Sequence, residues 1–543
     1  MLAGVVGNRL MPRIIIDGKE LTVPEGATVL QACEQAGSPV PFYCYHPGLS
    51  IAGNCRICLV EIEKMPKLQI ACYASVADGM VVHTTSDKAL KGRQDVLEFL
   101  LANHPLDCPV CDQAGECWLQ DYYMEYGLYD AKFDEQKVKK SKKATVVGPH
   151  VILDMERCIL CSRCVRFTDE VTKTGELGIF HRGDHAELDV YPGKSLDNNY
   201  SGCVVDICPV GALTDRDFRF KCRVWYLGRT NSICPGCSMG CNIEIHDNRE
   251  RAQRPHIGGG ARVMRLKPRY NAAVNQWWMC DRGRYNYTWI DENRITTAQI
   301  NEEGAARPVS WEVALDRIVQ TITRLKHANQ LDRIGVILST HLTNEALYVA
   351  KRLFQGLGIS KVTVQGPAQP GRSDDLLMKA DLSPNTRGAQ ALGLLSDSSR
   401  LFTEAMRKEL AVLYVVGHDV IDVWGKPTIS KALEHLELLI FQGSTVNASC
   451  QVAHIVLPSA VYAETDGTFT NCQSRVQRIH QAFPPLGEAK ADWRIFVELA
   501  KRLEVAVDFP NAQAIFAELS AREPAFRGLT YEGIGEAGAL LNQ

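Results

Sequence analysis

The sequence predicts a multidomain protein with an α+β front and an α/β back. Its 543 residues correspond to about three to four domains of ~150 residues each. Of its 20 cysteines, only Cys450 and Cys472 lie beyond residue 280. Strand-like and helix-like segments alternate regularly only after residue 284. We therefore expect the cysteine-rich front and the cysteine-poor back to be different kinds of domain.

The front begins with the pattern of a small β-grasp domain. Residues 12–27 (PRIIIDGKELTVPEGA) favour two short strands around Asp17 and Gly18. Residues 28–37 (TVLQACEQAG) favour a helix that ends at Gly37. Strand, turn, strand and helix in this order are how a β-grasp fold begins.

A second helix is predicted just before the next group of cysteines. Residues 86–103 are amphipathic, with Ser86 as the N-cap and Leu97, Leu100 and Leu101 on one face. The basic run 137–143 (KVKKSKK) has no apolar periodicity, so we expect an exposed linker rather than a docking patch. A domain boundary is therefore expected near residue 140.

The back has the pattern of a largely parallel sheet flanked by helices. Its strand-like runs are 334–338, 412–416 and 438–441, and its helix-like runs are 311–325, 343–357 and 493–503. No G-x-G-x-x-G follows a strand, so no dinucleotide site is predicted. No acid–base pair or nucleophile indicates a catalytic centre on this chain.

Composition and charge exclude several classes of function. The net charge of −3 gives no reason to expect nucleic-acid binding. No apolar stretch approaches the ~18 residues of a membrane-spanning helix, so membrane contact is expected only through partners. The first eleven residues resemble neither a secretory signal nor a transit peptide, which favours a cytoplasmic location and makes Met11 an alternative start.

The many cysteines are best explained by metal binding, because disulfides are rare in the cytoplasm. The first group is Cys44-x10-Cys55-x2-Cys58-x13-Cys72. Three close thiolates and a later fourth suit a two-iron cluster, as in plant-type ferredoxins, although the first gap there is four residues. Gly53 would let the loop pass close to bridging sulfides. A four-cysteine zinc site is the alternative.

The second group is His104-x3-Cys108-x2-Cys111-x5-Cys117. Three thiolates and one imidazole suit either zinc or a four-iron cluster, and this group alone leaves both open. We expect His104 to be a ligand rather than a structural histidine, because it has ligand spacing and Pro105 keeps the turn extended.

The third group is Cys158-x2-Cys161-x2-Cys164, followed much later by Cys208. In two-cluster ferredoxins the run is C-x2-C-x2-C-x3-C-P, and its fourth cysteine serves the other cluster. Here Thr168 occupies the fourth position, and no second run precedes Cys208. We therefore expect a single cluster, held by these four cysteines.

The fourth group is Cys234-x2-Cys237-x3-Cys241, closed by Cys280, and it fits another four-iron cluster. Fifteen cysteines and one histidine then form four sets of four, which is hard to explain by chance. The default role of the remaining cysteines is packing. They are Cys33, Cys203, Cys222, Cys450 and Cys472.

The order of these motifs resembles the G-type subunit family of NADH-quinone oxidoreductase (respiratory complex I), whose mitochondrial form is the 75 kDa subunit. The matching segments are YCYHPGLSIAGNCRICLVE, NHPLDCPVCDQAGECWLQD, ERCILCSRCVRF, VVDICPVGAL, CPGCSMGCN and CDRGRYNYTWI, between residue 12 and about residue 290. The resemblance implies a 2Fe-2S cluster at the first group and 4Fe-4S clusters at the other three. The fourth cluster occurs only in some bacterial members, which argues against a mitochondrial origin.

The back resembles the molybdopterin oxidoreductase domain, through SWEVALDRI and HIVLPSAVYAETDGTFTNCQSRVQR. Complete members are several hundred residues longer, so a shortened domain without molybdopterin is expected. The expected order is a β-grasp 2Fe-2S ferredoxin domain (12–90), a His-Cys 4Fe-4S box (91–130), a 4Fe-4S ferredoxin-like domain (145–226), a small 4Fe-4S domain (227–284) and the shortened molybdopterin-oxidoreductase-like α/β domain (285–543).

The resemblance implies an electron-relay subunit of a proton-pumping NADH:quinone oxidoreductase, peripheral on the cytoplasmic side of the bacterial inner membrane. Electrons would come from a flavin-bearing, NADH-oxidising partner and pass through the first, third and second groups. They would leave to another iron–sulfur subunit near the quinone site, with the fourth cluster off this path. The alternatives are a subunit of a formate dehydrogenase or of an NAD-linked hydrogenase, and a zinc scaffold.

Overall fold

A computed structural model describes residues 11–542, except residues 131–132, 249–255, 303–304, 426–431 and 434. The chain divides into two compact units, Met1–Tyr226 and Leu227–Gln543. The interpretation of residues 1–10 lies outside the described residues. Over the described ranges, no helix is both long enough and apolar enough to cross a bilayer.

The first unit begins with a five-stranded sheet that grasps one helix. In chain order its elements are β1 (Arg13–Ile16), β2 (Lys19–Thr22), α1 (Val29–Ala36), β3 (Leu59–Ile62), β4 (Gln69–Ile70) and β5 (Met80–His83). The sheet order is β2-β1-β5-β3-β4, with β1 antiparallel to β2 and parallel to β5. Thr28 and Gln31 form a capping box at the start of α1, and Gly37 ends the helix at φ 72°. The predicted β-grasp pattern is confirmed.

Two helices frame the second group of cysteines, α2 (Asp87–Asn103) before it and α3 (Trp118–Tyr126) at its end. The predicted cap is confirmed, because the Ser86 hydroxyl accepts a backbone N–H of the first turn of α2. Leu97 is buried on this helix. Arg93, also buried, donates to the carbonyls of Leu59 and Thr84 and so holds α2 against the first sheet.

The rest of the first unit consists of two small sheets and short helices. The strands are β6 (Thr145–Val146), β7 (Val151–Leu153), β8 (Leu177–Phe180), β9 (Glu187–Val190) and β10 (Leu213–Asp215), and the helices are α4 (Arg163–Arg166) and α5 (Cys203–Ile207). Strands β10, β7 and β6 form an antiparallel sheet in that order, and β8 and β9 form a hairpin. Of the third group, Cys158 and Cys161 lie on the loop before α4, Cys164 lies on α4, and Cys208 directly follows α5.

The basic run 137–143 is largely exposed, as predicted, but it is not a free linker. Lys137 donates to two carbonyls at the end of α2. Lys142 pairs with Asp189 on β9, and Lys143 pairs with Asp107 at 2.9 Å. These charges are used within the chain, which argues further against a docking patch.

The second unit opens with an antiparallel meander of β11 (Leu227–Ile233), β12 (Asn242–Asn248) and β13 (Val263–Pro268), followed by α6 (Asp281–Tyr285). Cys234 directly follows β11, and Cys241 directly precedes β12. The register of β11 and β12 pairs Ile233 with Asn242. The fourth group therefore lies where these two strands meet.

The predicted α/β domain is a seven-stranded sheet. Its strands are β14 (Gln299–Glu302), β15 (Ala305–Pro308), β16 (Ile334–Ser339), β17 (Val362–Gln365), β18 (Val412–Val416), β19 (Leu438–Gly443) and β20 (Ile455–Pro458), in the sheet order β15-β14-β20-β19-β18-β16-β17. The five strands from β20 to β17 are parallel, and β14 and β15 add an antiparallel edge. Strands β16, β18 and β19 are buried at every residue, because helices cover both faces.

Helices and one further sheet complete the second unit. The helices are α7 (Trp311–His327), α8 (Asn344–Leu357), α9 (Thr386–Ala391), α10 (Ser399–Met406), α11 (Val420–Trp424), α12 (Ala448–Val452), α13 (Asp492–Arg502), α14 (Ala512–Arg522) and α15 (Tyr531–Ile534). The sheet consists of β21 (Gly467–Thr470), β22 (Arg475–Ile479) and β23 (Ala539–Leu540). Phe354 of α8 meets Phe496 of α13 edge to face, with ring centroids 6.3 Å apart. The three predicted helices are confirmed.

Candidate metal centres

The first group is gathered by the loop between α1 and β3 and by the turn after β4. Cys44, Cys58 and Cys72 are buried, and Cys55 is half-buried. The thiols of Cys55 and Cys72 hydrogen-bond that of Cys44, and Cys72 also hydrogen-bonds Cys58, so all four sulfurs lie together. The bonds from Cys55 and Cys72 hold the pKa of Cys44 well below its ordinary value. Gly53 has a φ of 63°, a conformation that glycine adopts readily.

The second group surrounds a cavity of about 470 Å³. His104 ends α2 in an extended conformation, Cys108 begins a 3-10 turn, and Cys117 immediately precedes α3. Cys111 completes the set, and the four side chains line the same cavity. Cys108 is exposed, whereas Cys111 and Cys117 are buried.

The surroundings of His104 favour the neutral form of its imidazole ring. Burial, together with the charges of Arg157 and Lys137, lowers the pKa of His104 to about 4. The ring is therefore neutral at pH 7, the form that binds a metal. Burial also raises the pKa of Cys117 to about 12, so this thiol keeps its proton until a metal displaces it.

Gly211 allows the chain after the third group to approach the second site closely. A Cβ at this position would lie 2.2 Å from Cys111 Sγ and 3.2 Å from Gln113 Cβ. Its φ is not in the left-handed region, so space rather than backbone conformation requires glycine here. Nearby, the Trp118 N–H donates to the Pro209 carbonyl at 3.0 Å. The segment that follows Cys208 of the third group therefore packs directly against the second group.

The third group lines one small, largely apolar cavity. The structure brings Cys208 to this cavity together with Cys158, Cys161 and Cys164. Burial raises the pKa of all four thiols. Cys203 is fully buried at the start of α5 and is not among the residues that line the cavity. Cys208 therefore lies at the cavity with the other three cysteines of the group, and Cys203 does not.

The fourth group lines a small cavity in the second unit, formed by Cys234, Cys237, Cys241 and Cys280. The Cys234 N–H donates to the Cys241 carbonyl at 2.9 Å, which closes the loop between β11 and β12. Cys280 caps α6, and its Sγ accepts the Gly283 N–H at 3.4 Å. These contacts help to hold the four cysteines around the same cavity.

Two guanidinium groups also line the fourth cavity, those of Arg282 and Arg372. Nη1 of Arg372 is buried and has no hydrogen-bond partner among the described residues. A buried polar nitrogen without a hydrogen-bond partner is costly. A cluster bound by four thiolates carries net negative charge, so this orphaned nitrogen fits a cluster in the cavity.

Cys472 corrects the sequence analysis, because its side chain is exposed and cannot serve packing. It lies in the tight turn between β21 and β22, where Ser474 N–H donates back to the Asn471 carbonyl. Its own N–H donates to the Ser238 carbonyl at 2.7 Å, next to Cys237 of the fourth group. The other leftover cysteines are buried, as expected: Cys33, Cys203, Cys222 and Cys450.

Sequence reasoning missed Gly211 and Arg372, because the quoted segment VVDICPVGAL indicates only the third group and Arg372 lies in no quoted motif. Both approach their sites from distant parts of the chain. Within the described residues, no three histidine, cysteine, aspartate or glutamate side chains are arranged to hold a single metal ion.

Known protein families match consecutive parts of the chain. The 2Fe-2S iron-sulfur cluster binding domain matches residues 11–87, and the NADH-ubiquinone oxidoreductase-G iron-sulfur binding region matches residues 93–132. The ferredoxin-like domain of NADH-quinone oxidoreductase subunit 3 matches residues 148–214. The molybdopterin oxidoreductase Fe4S4 domain matches residues 228–292, and molybdopterin oxidoreductase matches residues 284–391 and 383–502.

Several complete proteins are similar to the chain. The G-type subunit of NADH-quinone oxidoreductase from Rickettsia conorii is 32% identical over 96% of this chain and 92% of its own length. The NADH-ubiquinone oxidoreductase 75 kDa subunit of Reclinomonas americana is 39% identical over 72% of this chain and 55% of its own. A chain of a solved NAD+-reducing NiFe-hydrogenase is 29% identical, with a TM-score of 0.35, over 39% of this chain and 91% of its own.

The alignment with the Rickettsia conorii protein spans 632 positions, more than the 543 residues of this chain, so that relative contains residues that have no counterpart here.

Proposed function

The chain belongs to the G-type subunit family of NADH-quinone oxidoreductase, and from that premise we propose that it holds four iron–sulfur clusters and relays electrons between partner subunits. As a family member it is an iron–sulfur subunit of an oxidoreductase complex, with 2Fe-2S and 4Fe-4S binding domains. The observation that carries the proposal is the gathering of four sets of four ligand side chains around four separate centres.

Each proposed cluster has its own ligand set. The 2Fe-2S cluster is assigned to Cys44, Cys55, Cys58 and Cys72. The three 4Fe-4S clusters are assigned to His104, Cys108, Cys111 and Cys117, to Cys158, Cys161, Cys164 and Cys208, and to Cys234, Cys237, Cys241 and Cys280. When bound, such clusters accept and return one electron at a time.

The residues of the chain set the conditions for this transfer. All four cysteines of the fourth site are buried, the first and third sites each have one half-buried cysteine, and Cys108 is exposed at the second site, where His104 replaces one thiolate. A neutral imidazole contributes one negative charge less than a thiolate, so the second cluster should differ in reduction potential from the others.

Contacts within the first unit support an electron path through the first, third and second groups. The Asn54 side chain donates to the Leu160 carbonyl at 3.0 Å, joining the first loop to the third. Gly211 and the bond from Trp118 to Pro209 join the third group to the second. The fourth group belongs to the second unit, and we propose that it lies off the path.

The proposed partners follow from this path. Electrons come from a flavin-bearing, NADH-oxidising subunit and leave to another iron–sulfur subunit near the quinone site of a proton-pumping complex. The chain reaches the membrane only through these partners, at the cytoplasmic face of a bacterial inner membrane. The shortened back domain is proposed to bind no molybdopterin.

Metal analysis of the anaerobically purified chain tests the proposal. The four clusters require about fourteen iron atoms per chain, with matching acid-labile sulfide. Electron paramagnetic resonance (EPR) of the reduced chain should show one 2Fe-2S and three 4Fe-4S signals. Stoichiometric zinc with little iron would instead identify a zinc scaffold, and formate-dependent dye reduction would identify a catalytic pterin protein.

A further inference from the structure

Arg163 is one of the most deeply buried side chains of the first unit, with 2% of its surface exposed. Nη1 donates to the Ile207 carbonyl at 2.9 Å, and Nη2 donates to the Tyr45 carbonyl at 2.5 Å. The guanidinium also stacks on Trp118, with its Cζ 4.5 Å from the ring centroid. No carboxylate among the described residues pairs with it, and its Nε has no hydrogen-bond partner.

The three contacts of Arg163 reach three different sites. Each contacted residue adjoins a proposed cluster ligand in the sequence: Tyr45 adjoins Cys44 of the first group, Trp118 adjoins Cys117 of the second, and Ile207 adjoins Cys208 of the third. Arg163 itself directly precedes Cys164. One cation therefore lies at the junction of three sites.

Within the described part of the chain, no negatively charged side chain pairs with Arg163. Two carbonyls and an aromatic face solvate the guanidinium only in part, and an unpaired buried cation is costly. Burial accordingly lowers the pKa of Arg163, whereas the neighbouring thiols Cys161 and Cys208 act in the opposite direction. Clusters bound by thiolates would supply the missing negative charge.

We propose that Arg163 is the shared countercharge of the first three cluster sites and raises their reduction potentials, that of the third most. This inference rests on the proposed function. A cluster that gains one electron becomes more negative by one charge, so a fixed cation nearby stabilises the reduced form more than the oxidised form. Arg163 accepts no electron; it is a positioning residue that acts through its charge and its two carbonyl contacts.

Redox titration of the intact complex, followed by EPR, tests this inference. Arg163→Gln removes the charge and keeps a polar side chain. We expect the equilibrium constant for one-electron reduction of the third cluster to fall on the order of tenfold, which is about 59 mV. Smaller falls are expected at the first and second clusters. Arg163→Lys keeps the charge, and its third cluster should stay within about threefold of the native value.

Arg93 provides a matched control in the same unit. It is 1% exposed, donates to two backbone carbonyls, and lies over the Tyr126 ring with its Cζ at 5.2 Å. Arg93 is therefore buried like Arg163 and makes the same kinds of contact, but it lies on α2 against the first sheet. Arg93→Gln should reduce stability to a similar extent and leave the potential of the third cluster unchanged.

The outcomes separate this inference from the proposed function. Native potentials in Arg163→Gln would overturn it, as would an equal fall in Arg163→Lys or in Arg93→Gln. If Arg163→Gln does not retain iron, Arg163→Lys decides, since a native potential supports the inference and a tenfold fall overturns it. Absence of cluster signals from the native complex would instead reject the proposed function.

Discussion

We expect Gly211→Ala to prevent the second cluster from binding and to leave the other three clusters in place. The added Cβ would lie 2.2 Å from Cys111 Sγ, whereas non-bonded atoms in good contact are about 3.5–4.0 Å apart. Relieving this clash displaces the sulfur or the glycine backbone by more than about 1 Å, and metal sites tolerate only about 0.2 Å. Because alanine adds no backbone strain at this φ, the effect comes from space alone.

The assay is iron per chain together with EPR of the reduced protein. The variant should lose about four of its fourteen or so iron atoms and the signal of the His104 site, while the other signals remain. Overpacking should lower the free energy of unfolding of the iron-free protein by about 1–3 kcal/mol. The iron loss is therefore distinct from a general failure to fold.

Two other glycines provide a graded control beside a ligand sulfur. A Cβ at Gly236 would lie 3.5 Å from Cys234 Sγ, which is ordinary contact, and one at Gly283 would lie 3.0 Å from the same atom. Gly236→Ala should keep all its iron, and Gly283→Ala should fall between the two. Full iron in Gly211→Ala, or equal iron loss in Gly236→Ala, would refute the reasoning.

Three further outcomes are expected. Cys208→Ala should lose the third cluster and the NADH:quinone activity of the complex. Cys203→Ala should keep the iron and lower the free energy of unfolding by on the order of 1 kcal/mol. The reverse pattern would contradict the assignment of Cys208 as the ligand. Arg372→Gln should lower the reduction potential of the fourth cluster in an EPR titration, and an unchanged value would exclude a charge effect. Burial lowers the pKa of His246 in the folded chain from 6.5 to about 4. Between pH 6.5 and pH 4, the unfolded chain therefore binds a proton at this histidine more readily than the folded chain does, so acid favours unfolding. The free energy of unfolding should drop by roughly 3 kcal/mol over that range, and His246→Gln should flatten the slope measured by denaturant titration.

The sequence predicts well what depends on local spacing. Ser86 caps α2 because a hydroxyl at the N-cap meets a free N–H wherever such a helix begins. Strands β16, β18 and β19 follow from runs of apolar residues that only a doubly covered sheet can bury. The cysteine groups have the same local character, since a loop that wraps a cluster must return its sulfurs at short intervals.

Long-range contacts could not be predicted in this way. Gly211 is needed because a segment one hundred residues away in sequence passes beside it, which no spacing records. Arg163 resembles any surface arginine next to a cysteine until Tyr45, Trp118 and Ile207 are placed around it. The exposure of Cys472 likewise depends on the turn that follows β21, which the spacing of the cysteines does not indicate.

The exposure of Cys472 and Cys108 allows thiol labelling to report whether the second cluster is bound. Only these two of the 20 cysteines are exposed. With the clusters in place, Cys108 would be bound to iron, so a thiol-alkylating reagent would label Cys472 alone. Loss of the second cluster would release Cys108 and add a second label. Mass spectrometry of the alkylated protein would therefore report the fraction of chains that have lost the second cluster, in samples too small or too mixed for spectroscopy.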